Sequence, residues 1–583
     1  MSIKTLSLHT GHDASVALYE DYKRLFISKE ERLDRIKGSG PNLLEHSLAA
    51  LRRDHSLHDV THLALTRSWF PRRYFKQEPL GKKVERWLGE NLRGKSKWLQ
   101  INEEMRRTGG TEEDVFDTAA LKRDLGLPAG CKVIFVNHHE AHALAALFYQ
   151  PAWDNALIYT ADGGGDFLQY SIYHFDGRTM HLIFGGDDVI HANWPDEKMH
   201  SLGQLYCVVT EIAGFKRNRH EGKITGLAAF GKPSVLSRLK EKFSVREDGV
   251  IRSIFGSYAE METYLKELAA TCSIEDLARS AQVLLEDMFR TSFEILLRRH
   301  RFSNAGLSGG VFSNVLLNQV VSEIPEIQDV FVVPPMGDEG LPIGGVLKVM
   351  ITERGFDDFL ANRHRIGLPY WGDEFPAVTD PGPGLRVVSR ENIVEQGARL
   401  IAGGAVCAIF TKGMEYGPRA LGARSILINP ADRKINDSVN KRLSRTEFMP
   451  FAPYVREERA AEVFEITPAN RQAMDFMTIT TKVKPEWIEK IPAVVHVDHT
   501  ARPQIIRRED NPLYYDLLKR FEELTDLPCL VNTSFNAHEE PIINTLEEAF
   551  NALRHNRIDY LITETAIFGP DAAVEGMPVP ANK

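Results

Sequence analysis

Residues 132–136, KVIFV, are apolar at nearly every position, and the HHEAHALAALF of 138–148 sets its apolar residues at helical spacing, so a buried strand should lead directly into a helix. Two other stretches share one design. KTLSLHTGHDASVALYEDYKRLFIS (4–28) and NALIYTADGGGDFLQYSIYHFDGRTMHLIF (155–184) each predict strand, small polar turn, strand, second turn, strand. Residues 274–300 read as a long amphipathic helix, acidic at its start and ending on Arg298, Arg299 and His300, as the helix dipole favours. AGLSGGVFSNVLLNQ (305–319) predicts a strand, a Gly-Gly turn and a helix, and VFVVPPMGDEGLPIGG (330–345) predicts a strand with Asp338 at its tip. A Pro- and Gly-rich stretch at 362–390 then precedes a region that alternates strands (AVCAIF, SILINP) with helices (390–404, 512–525, 545–556). The expected architecture is α/β in two large units, 1–365 and 386–583, joined by a linker at 366–385, with an insertion at about 67–112 in the first.

Composition adds little chemistry but excludes some. A formal charge of −9 over 583 residues implies neither nucleic acid nor a membrane surface as partner. No run of about 18 apolar residues occurs, and the N-terminus has no apolar signal region, so a cytoplasmic protein is expected. Five cysteines without a C-x-x-C pair fit a reducing compartment and argue against structural zinc on thiolates. Residues 67–97 carry ten basic residues against three acidic ones, interleaved with aromatics. Such a stretch can dock an anionic acceptor, although a solvated amphipathic helix is the commoner reading.

The candidate chemistry lies at the turns. His138 and His142, four residues apart, share one helix face and can grip one cation. The His-Glu-x-x-His order of zinc proteases is absent, and Glu140 falls on another face, so a glutamate activating metal-bound water is not supported. Spacing alone leaves ligation and a merely polar helix start equally open. The doubled hairpin is how actin-like and sugar-kinase-like ATPases wrap nucleotide phosphates. Backbone N–H groups at Gly163, Gly164, Gly309 and Gly310 can approach phosphate closely, and Asp162 and Asp338 can meet a metal or a phosphate-bound cation. A second constellation follows in the C-terminal region: Lys412, Arg419 and Arg424 around a Gly-Pro turn, Arg445, Arg502, Asn532 and Ser534. Guanidinium forks suit phosphoryl and carboxyl oxygens, and an Asn amide can pair with a carbamoyl-like group.

GHDASVAL, NHHEAHALAAL, DGGGD, EGKITGLAAFG, SGGVFSN, GDEGLPIGG, GMEYGPRALGARSIL, FMPFAP and NTSFN, in this order, resemble the O-carbamoyltransferases of nodulation and antibiotic biosynthesis over nearly the whole length. The resemblance implies a duplicated actin-like (ribonuclease H-like) ATPase domain followed by a YrdC-like α/β domain. It implies a two-stage reaction: carbamoyl phosphate and ATP give carbamoyl adenylate, and an acceptor hydroxyl then takes the carbamoyl group as AMP leaves. Carried onto this chain, it makes His138, His142 and Asp338 ligands of a divalent metal, iron(II) by family habit, with zinc or manganese equally compatible with imidazole and carboxylate. Asp162 matches the aspartate between metal and nucleotide, and His12 the histidine that takes the acceptor proton. Lys37 and Asn314 match nucleotide contacts. Arg419, Arg424, Arg445, Arg502 and Asn532 match the adenylate-forming site. Magnesium is expected with ATP, and a homodimer is left open. Met449 stands where many relatives carry Arg, which removes one phosphate contact that Lys441 or Arg442 would have to replace.

Two other classes compete. A tRNA threonylcarbamoyl-transfer enzyme shares relatives with both domains, but the acidic balance lacks the basic footprint of tRNA binding. A non-enzymatic actin-like nucleotide sensor would not need the second constellation. The acceptor itself is not legible, because acceptor choice lies in loop shapes.

Overall fold

The computed structural model describes residues 2–76, 97–191, 197–378, 380–444 and 449–571, so Arg445 lies outside the described residues. The fold is mixed α/β and divides into two compact units. The first comprises residues 1–203, 306–311 and 335–365; the second comprises 204–305, 312–334 and 366–583. Among the described residues no helix is long and apolar enough to cross a membrane.

The first unit contains both predicted hairpins. Strands β1 (Lys4–His9), β2 (Ser15–Glu20) and β3 (Lys23–Lys29) run antiparallel, and β4 (His62–Thr66) and β5 (Lys132–Val136) continue the sheet in parallel, giving the order β3-β2-β1-β4-β5. Register follows the apolar alternation: Leu6 pairs with Leu18 and Leu8 with Val16, and all four enter one core with Leu63 and Leu65. On the opposite face Ala64 and Val136 meet Ala141 of helix α1 (His138–Phe148) and Leu341 and Val349 of helix α2 (Leu341–Arg354). The second hairpin, β6 (Ala156–Gly165), β7 (Leu168–Phe175) and β8 (Met180–Phe184), repeats the antiparallel pattern.

Two glycines set how closely α2 lies on its neighbours. A Cβ at Gly344 would stand 2.0 Å from the carbonyl oxygen of Ala141, and one at Gly345 would stand 2.3 Å from Ser7 Oγ. The GLPIGG motif is thus a contact surface for α1 and β1. Asp338 is not at a strand tip as expected. The strand Asp329–Val332 ends six residues earlier, and Asp338 opens the short 3-10 turn that leads into α2. Its position is therefore set by α2.

Part of the basic insertion is described. Trp69–Pro71 pairs antiparallel with Trp98–Gln100. Phe70 and Tyr74 are buried around Phe116, so these two aromatics serve the core and are not free to dock an acceptor.

In the second unit the helix Ile274–His300 runs as predicted, opened by a Ser273 cap. An eight-stranded mixed sheet follows. Its strands are β9 (Leu385–Ser389), β10 (Cys407–Phe410), β11 (Arg424–Ile428), β12 (Ala452–Arg456), β13 (Gln504–Ile506), β14 (Cys529–Ser534), β15 (Tyr560–Ile562) and β16 (Ile567–Pro570). Their order is β9-β16-β15-β10-β11-β14-β12-β13. Both faces are buried, which explains why the strands read as continuous apolar runs. Cys407 and Ile409 face helices α3 (Ile393–Ala402) and α4 (Pro512–Thr525), while Ala408 and Phe410 face the core that holds α5 (Leu546–Arg554).

Candidate functional site

In the first unit α1 begins where β5 ends, capped by Asn137, whose Oδ1 accepts from the Glu140 backbone N–H. One turn apart on its buried face, His138 and His142 turn their Nε2 atoms to the same point. His138 Nε2 lies 3.6 Å from Asp162 Oδ2 and 3.6 Å from Asp338 Oδ1, and His142 Nε2 lies 3.4 and 3.8 Å from the same oxygens. Both Nε2 atoms are buried without a hydrogen-bond partner. These spacings are long for direct hydrogen bonds and only slightly wider than the roughly 3–3.5 Å that separates neighbouring ligand atoms around one cation bound at about 2.0–2.2 Å by imidazole and carboxylate.

Three of the four side chains are held from behind. His142 Nδ1 meets Ser308 Oγ at 3.1 Å, which fixes its ring. Asp162 accepts from the backbone N–H of Gly163 at 2.8 Å and of Gly310 at 3.1 Å. Gly165 leaves room for His138, since a Cβ there would stand 2.2 Å from the ring, and Gly309 has φ +102 and lies where a Cβ would stand 2.1 Å from the Ala161 carbonyl oxygen. Of the four glycines named from the sequence, Gly163 and Gly310 spend their N–H groups on Asp162 and Gly309 donates to Met336 O at 2.7 Å.

Electrostatics agree with a cation site. Burial pushes His138 down, but the Asp338 and Asp162 carboxylates outweigh it and raise the ring to about 9. Burial likewise opposes, and the same carboxylates raise, His142. Burial pushes Asp162 upward, yet the two histidines hold it well below the carboxylate range. The carboxylates draw positive charge, whether carried by ring protons or by a metal.

His12 stands in the β1–β2 turn. Its Nδ1 pairs with Asp13 Oδ2 at 2.8 Å, and Asp13 pairs in turn with the buried Lys29 at 2.8 Å. Burial lowers the His12 ring, but the hydrogen bond and charge of Asp13 raise it to about 9. Lys37 lies in the following loop, which packs on the same turn: Ala14 N–H donates to Ser39 O, and a Cβ at Gly40 would strike Gly11 O. The sequence reading missed His9. It is buried, with Nδ1 at 2.8 Å from Thr66 Oγ1 and Nε2 at 3.0 Å from His12 O and 3.5 Å from Asp338 Oδ2. A Cβ at Gly11 would stand 2.8 Å from His9 Nε2, and the adjacency of HTGH to the His12 turn was the available signal.

Asn314 belongs to the second unit. There its Oδ1 caps the helix Val315–Ser322, and its amide exchanges hydrogen bonds with Gln282. The C-terminal constellation is more tightly built than its sequence suggests. Glu415 Oε1 accepts three backbone N–H groups, of Leu421 (2.8 Å), Ala423 (2.7 Å) and Arg424 (3.0 Å), and so folds the Gly-Pro turn around one carboxylate. Arg424 is fully buried over the Phe410 ring, 3.6 Å from its centroid. Its Nη1 donates to Thr411, Lys412 and Ala423 carbonyls, while Nε and Nη2 are buried without partners. Burial lowers its pKa to about 10. Arg419 Nη2 donates to Ser313 O at 3.3 Å.

Asn532 donates to Ala420 O and Gln504 Oε1, which leaves its own Oδ1 buried and unpaired. Ser534 pairs with Ser425, next to Arg424. Arg424 and Ser534 lie near the same end of β11 and β14 as Asn532, but Arg424 lies over Phe410 on one face of the sheet while Asn532, opposite Leu427 and bonded to Gln504, lies on the other. Lys412 is tied to Arg424 through its carbonyl. Arg502 sits two residues before Gln504, on the approach to β13. Residues 366–385, expected as a linker, include Tyr370, which donates to Leu421 O at 2.7 Å and braces the same turn. Glu415 and Gln504 were not singled out in the sequence, because nothing in their spacing marks a carboxylate that binds backbone.

A second cluster, His220, His538 and Glu539, also brings its ligand atoms within 4.8 Å of one another. Ion pairing explains it better. Glu539 meets His220 at 2.6 Å, Arg219 at 3.3 Å and Lys216 at 3.5 Å, and the Lys216 N–H donates to His220 Nδ1, which leaves the proton on Nε2 facing the carboxylate.

Comparison with known proteins gives two family matches. The carbamoyltransferase N-terminus matches residues 4–347 and the carbamoyltransferase C-terminus residues 398–569. Nodulation protein NolO of Bradyrhizobium diazoefficiens is 31% identical over 446 residues, 73% of this chain and 77% of that one. Nodulation protein NolNO of Sinorhizobium fredii is 32% identical over 450 residues, 74% of this chain and 63% of its own. An uncharacterised protein of Methanocaldococcus jannaschii is 31% identical over 470 residues, 76% and 75% of the two chains. Full-length HypF in its phosphate- and nucleotide-bound form aligns over 60% of this chain and 47% of its own, at 13% identity and a TM-score of 0.37, a likeness too low to argue from.

Proposed function

The chain belongs to the carbamoyltransferase family, and from that premise we propose that it is an ATP-dependent O-carbamoyltransferase working through carbamoyl adenylate. Carbamoyl phosphate and ATP react in a YrdC-like domain at 386–583, releasing phosphate and pyrophosphate. The carbamoyl group then passes to a hydroxyl of a sugar, natural product or other small molecule in an actin-like domain at 1–365, with release of AMP. The observation that carries this reading is the presence of two separately built polar centres, one under each family match: the His138/His142/Asp162/Asp338 cluster and the turn anchored on Glu415.

Each centre suits its half of the reaction. In the second, the unpartnered Nε and Nη2 of Arg424, with Arg419 and Arg502, suit phosphoryl oxygens, and Asn532 Oδ1 suits the carbamoyl NH2. In the first, a divalent cation held by His138, His142, Asp338 and Asp162 would supply Lewis-acid stabilisation of the charge on departing AMP, with iron(II), zinc and manganese all compatible. The Gly163 and Gly310 N–H groups donate to Asp162 and the Gly309 N–H to Met336 O, so a phosphate at the glycine turns would have to take over these donors. His12 would take the acceptor proton. With Asp13 holding its pKa at about 9, the ring is mostly protonated at neutral pH, so its basic form grows as pH rises toward that value.

The test is to incubate purified protein with ATP, magnesium and a divalent metal, with and without carbamoyl phosphate, and to measure pyrophosphate and AMP. Pyrophosphate that depends on carbamoyl phosphate and is lost in Arg419→Ala and Arg502→Ala supports the reading. Pyrophosphate indifferent to carbamoyl phosphate defeats it.

A further inference from the structure

Arg67 lies immediately beyond β4, where the basic insertion begins, and no part of the chemistry above uses it. Its guanidinium is buried among three carboxylates. Nε meets Glu112 at 2.6 Å, Nη1 and Nη2 meet the two oxygens of Asp187 at 2.7 Å each, and Nη1 meets Asp166 at 3.4 Å. Asp187 is half exposed, but Arg67 and Asp166 are buried, so this bidentate, three-way pairing differs from an ion pair with both partners in solvent, which holds little firmly.

Two of those carboxylates also grip the start of α1. Asp166, itself buried, accepts the backbone N–H of His138 at 2.8 Å and the side-chain amide of Asn102 at 3.1 Å. Asp187 accepts Asn137 Nδ2 at 2.8 Å, and Asn137 is the cap of α1. Arg67 is thus one bond from each group that fixes the backbone of the first metal-facing histidine. Glu112 and Asn102 both come from the insertion, so the insertion reaches the same point.

We propose that Arg67 is a positioning residue for the histidine pair: through Asp166 and Asp187 it locks the first turn of α1, and it ties the insertion to that turn. It touches none of the four metal-facing side chains. Without its charge, Asp166 and Asp187 repel each other and lose their orientation. The cap and the His138 N–H then lose fixed partners, and the ring swings outside the tolerance of about 0.5 Å and 10–20° that a working ligand set allows. Replacing the partners that orient metal ligands lowers metal affinity by about 10–100-fold.

The inference rests on reading the cluster as a divalent-cation site, and the experiment separates the two. Full-length wild type, Arg67→Lys, Arg67→Met, Asp187→Asn and His142→Ala are titrated with Mn2+ and Zn2+. Amide hydrogen exchange is followed in the metal-free proteins at residues 138–142 and, as an internal reference, along Ile274–His300. The expected result is metal affinity lowered by about 10–100-fold in both Arg67 variants and less in Asp187→Asn, with faster exchange confined to the start of α1. Lysine restores charge without the fork and should recover only part of the affinity. Wild-type affinity and wild-type exchange in Arg67→Lys and Asp187→Asn would overturn the role of Arg67. If wild type binds no cation that His142→Ala abolishes, the metal reading falls instead, and Arg67 then stands or falls on exchange at 138–142 alone.

Discussion

Gly344→Ala should weaken metal binding although the residue is no ligand. The added Cβ would stand 2.0 Å from the Ala141 carbonyl oxygen, and side chains essentially never come within 3.0 Å of such an atom, so α1 and α2 must separate by about 1 Å. Backbone cannot rotate away as a side-chain tip can. Crowding of this kind costs about 1–3 kcal/mol. The functional consequence is larger, because α1 carries His138 and His142 while α2 begins three residues after Asp338. A shift of about 1 Å between them exceeds the ±0.2 Å within which metal–ligand distances normally fall. Affinity for Mn2+ or Zn2+, measured by calorimetry beside thermal unfolding, should fall at least about tenfold. Gly345→Ala is the control. Its Cβ meets Ser7 Oγ at 2.3 Å, a hydroxyl that can turn aside, so stability and metal affinity should both change less. Equal effects from the two substitutions, or wild-type metal affinity in Gly344→Ala, would refute the idea that helix spacing positions Asp338.

Asp13→Asn removes the largest influence holding the His12 ring near 9 and leaves burial and Lys29, which lower it, against the Asp338 carboxylate, which raises it; the rising limb of the pH–rate profile for acceptor carbamoylation should move to lower pH, and an NMR titration of the metal-free protein should show a shift in the same direction. Glu415→Gln keeps the shape but weakens the charge-assisted bonds to three backbone N–H groups, so carbamoyl phosphate-dependent pyrophosphate release should fall about tenfold or more while the far-UV spectrum is unchanged. His142→Ala should abolish carbamoyl transfer to an alcohol yet leave pyrophosphate release near wild type, measured in parallel on one preparation, because the two centres are built from separate residues.

Local periodicity carried the elements. The strand-to-helix step at 132–148, the two hairpins and the long helix at 274–300 could be read from spacing, because each buries its own apolar stripe against whatever neighbour it finds. The groups that the first unit brings together at 138, 142, 162 and 338 also stood out by type, imidazoles and carboxylates beside glycine turns. What surrounds them did not. His9, Arg67, Asp166 and Glu415 act through partners 45 to 329 residues distant or through backbone groups that have no sequence signature. Asp338 looked like a strand tip because an apolar run precedes it, whereas its place follows from α2 resting on Ala141. Sequence by itself determined which groups are present and which short segments carry them, because propensity and alternation act within a few residues. Only the tertiary structure decided which of those groups converge and what holds them, because close approach at a glycine, a buried ion pair and a carboxylate folding a turn are satisfied in space and leave no periodic trace along the chain.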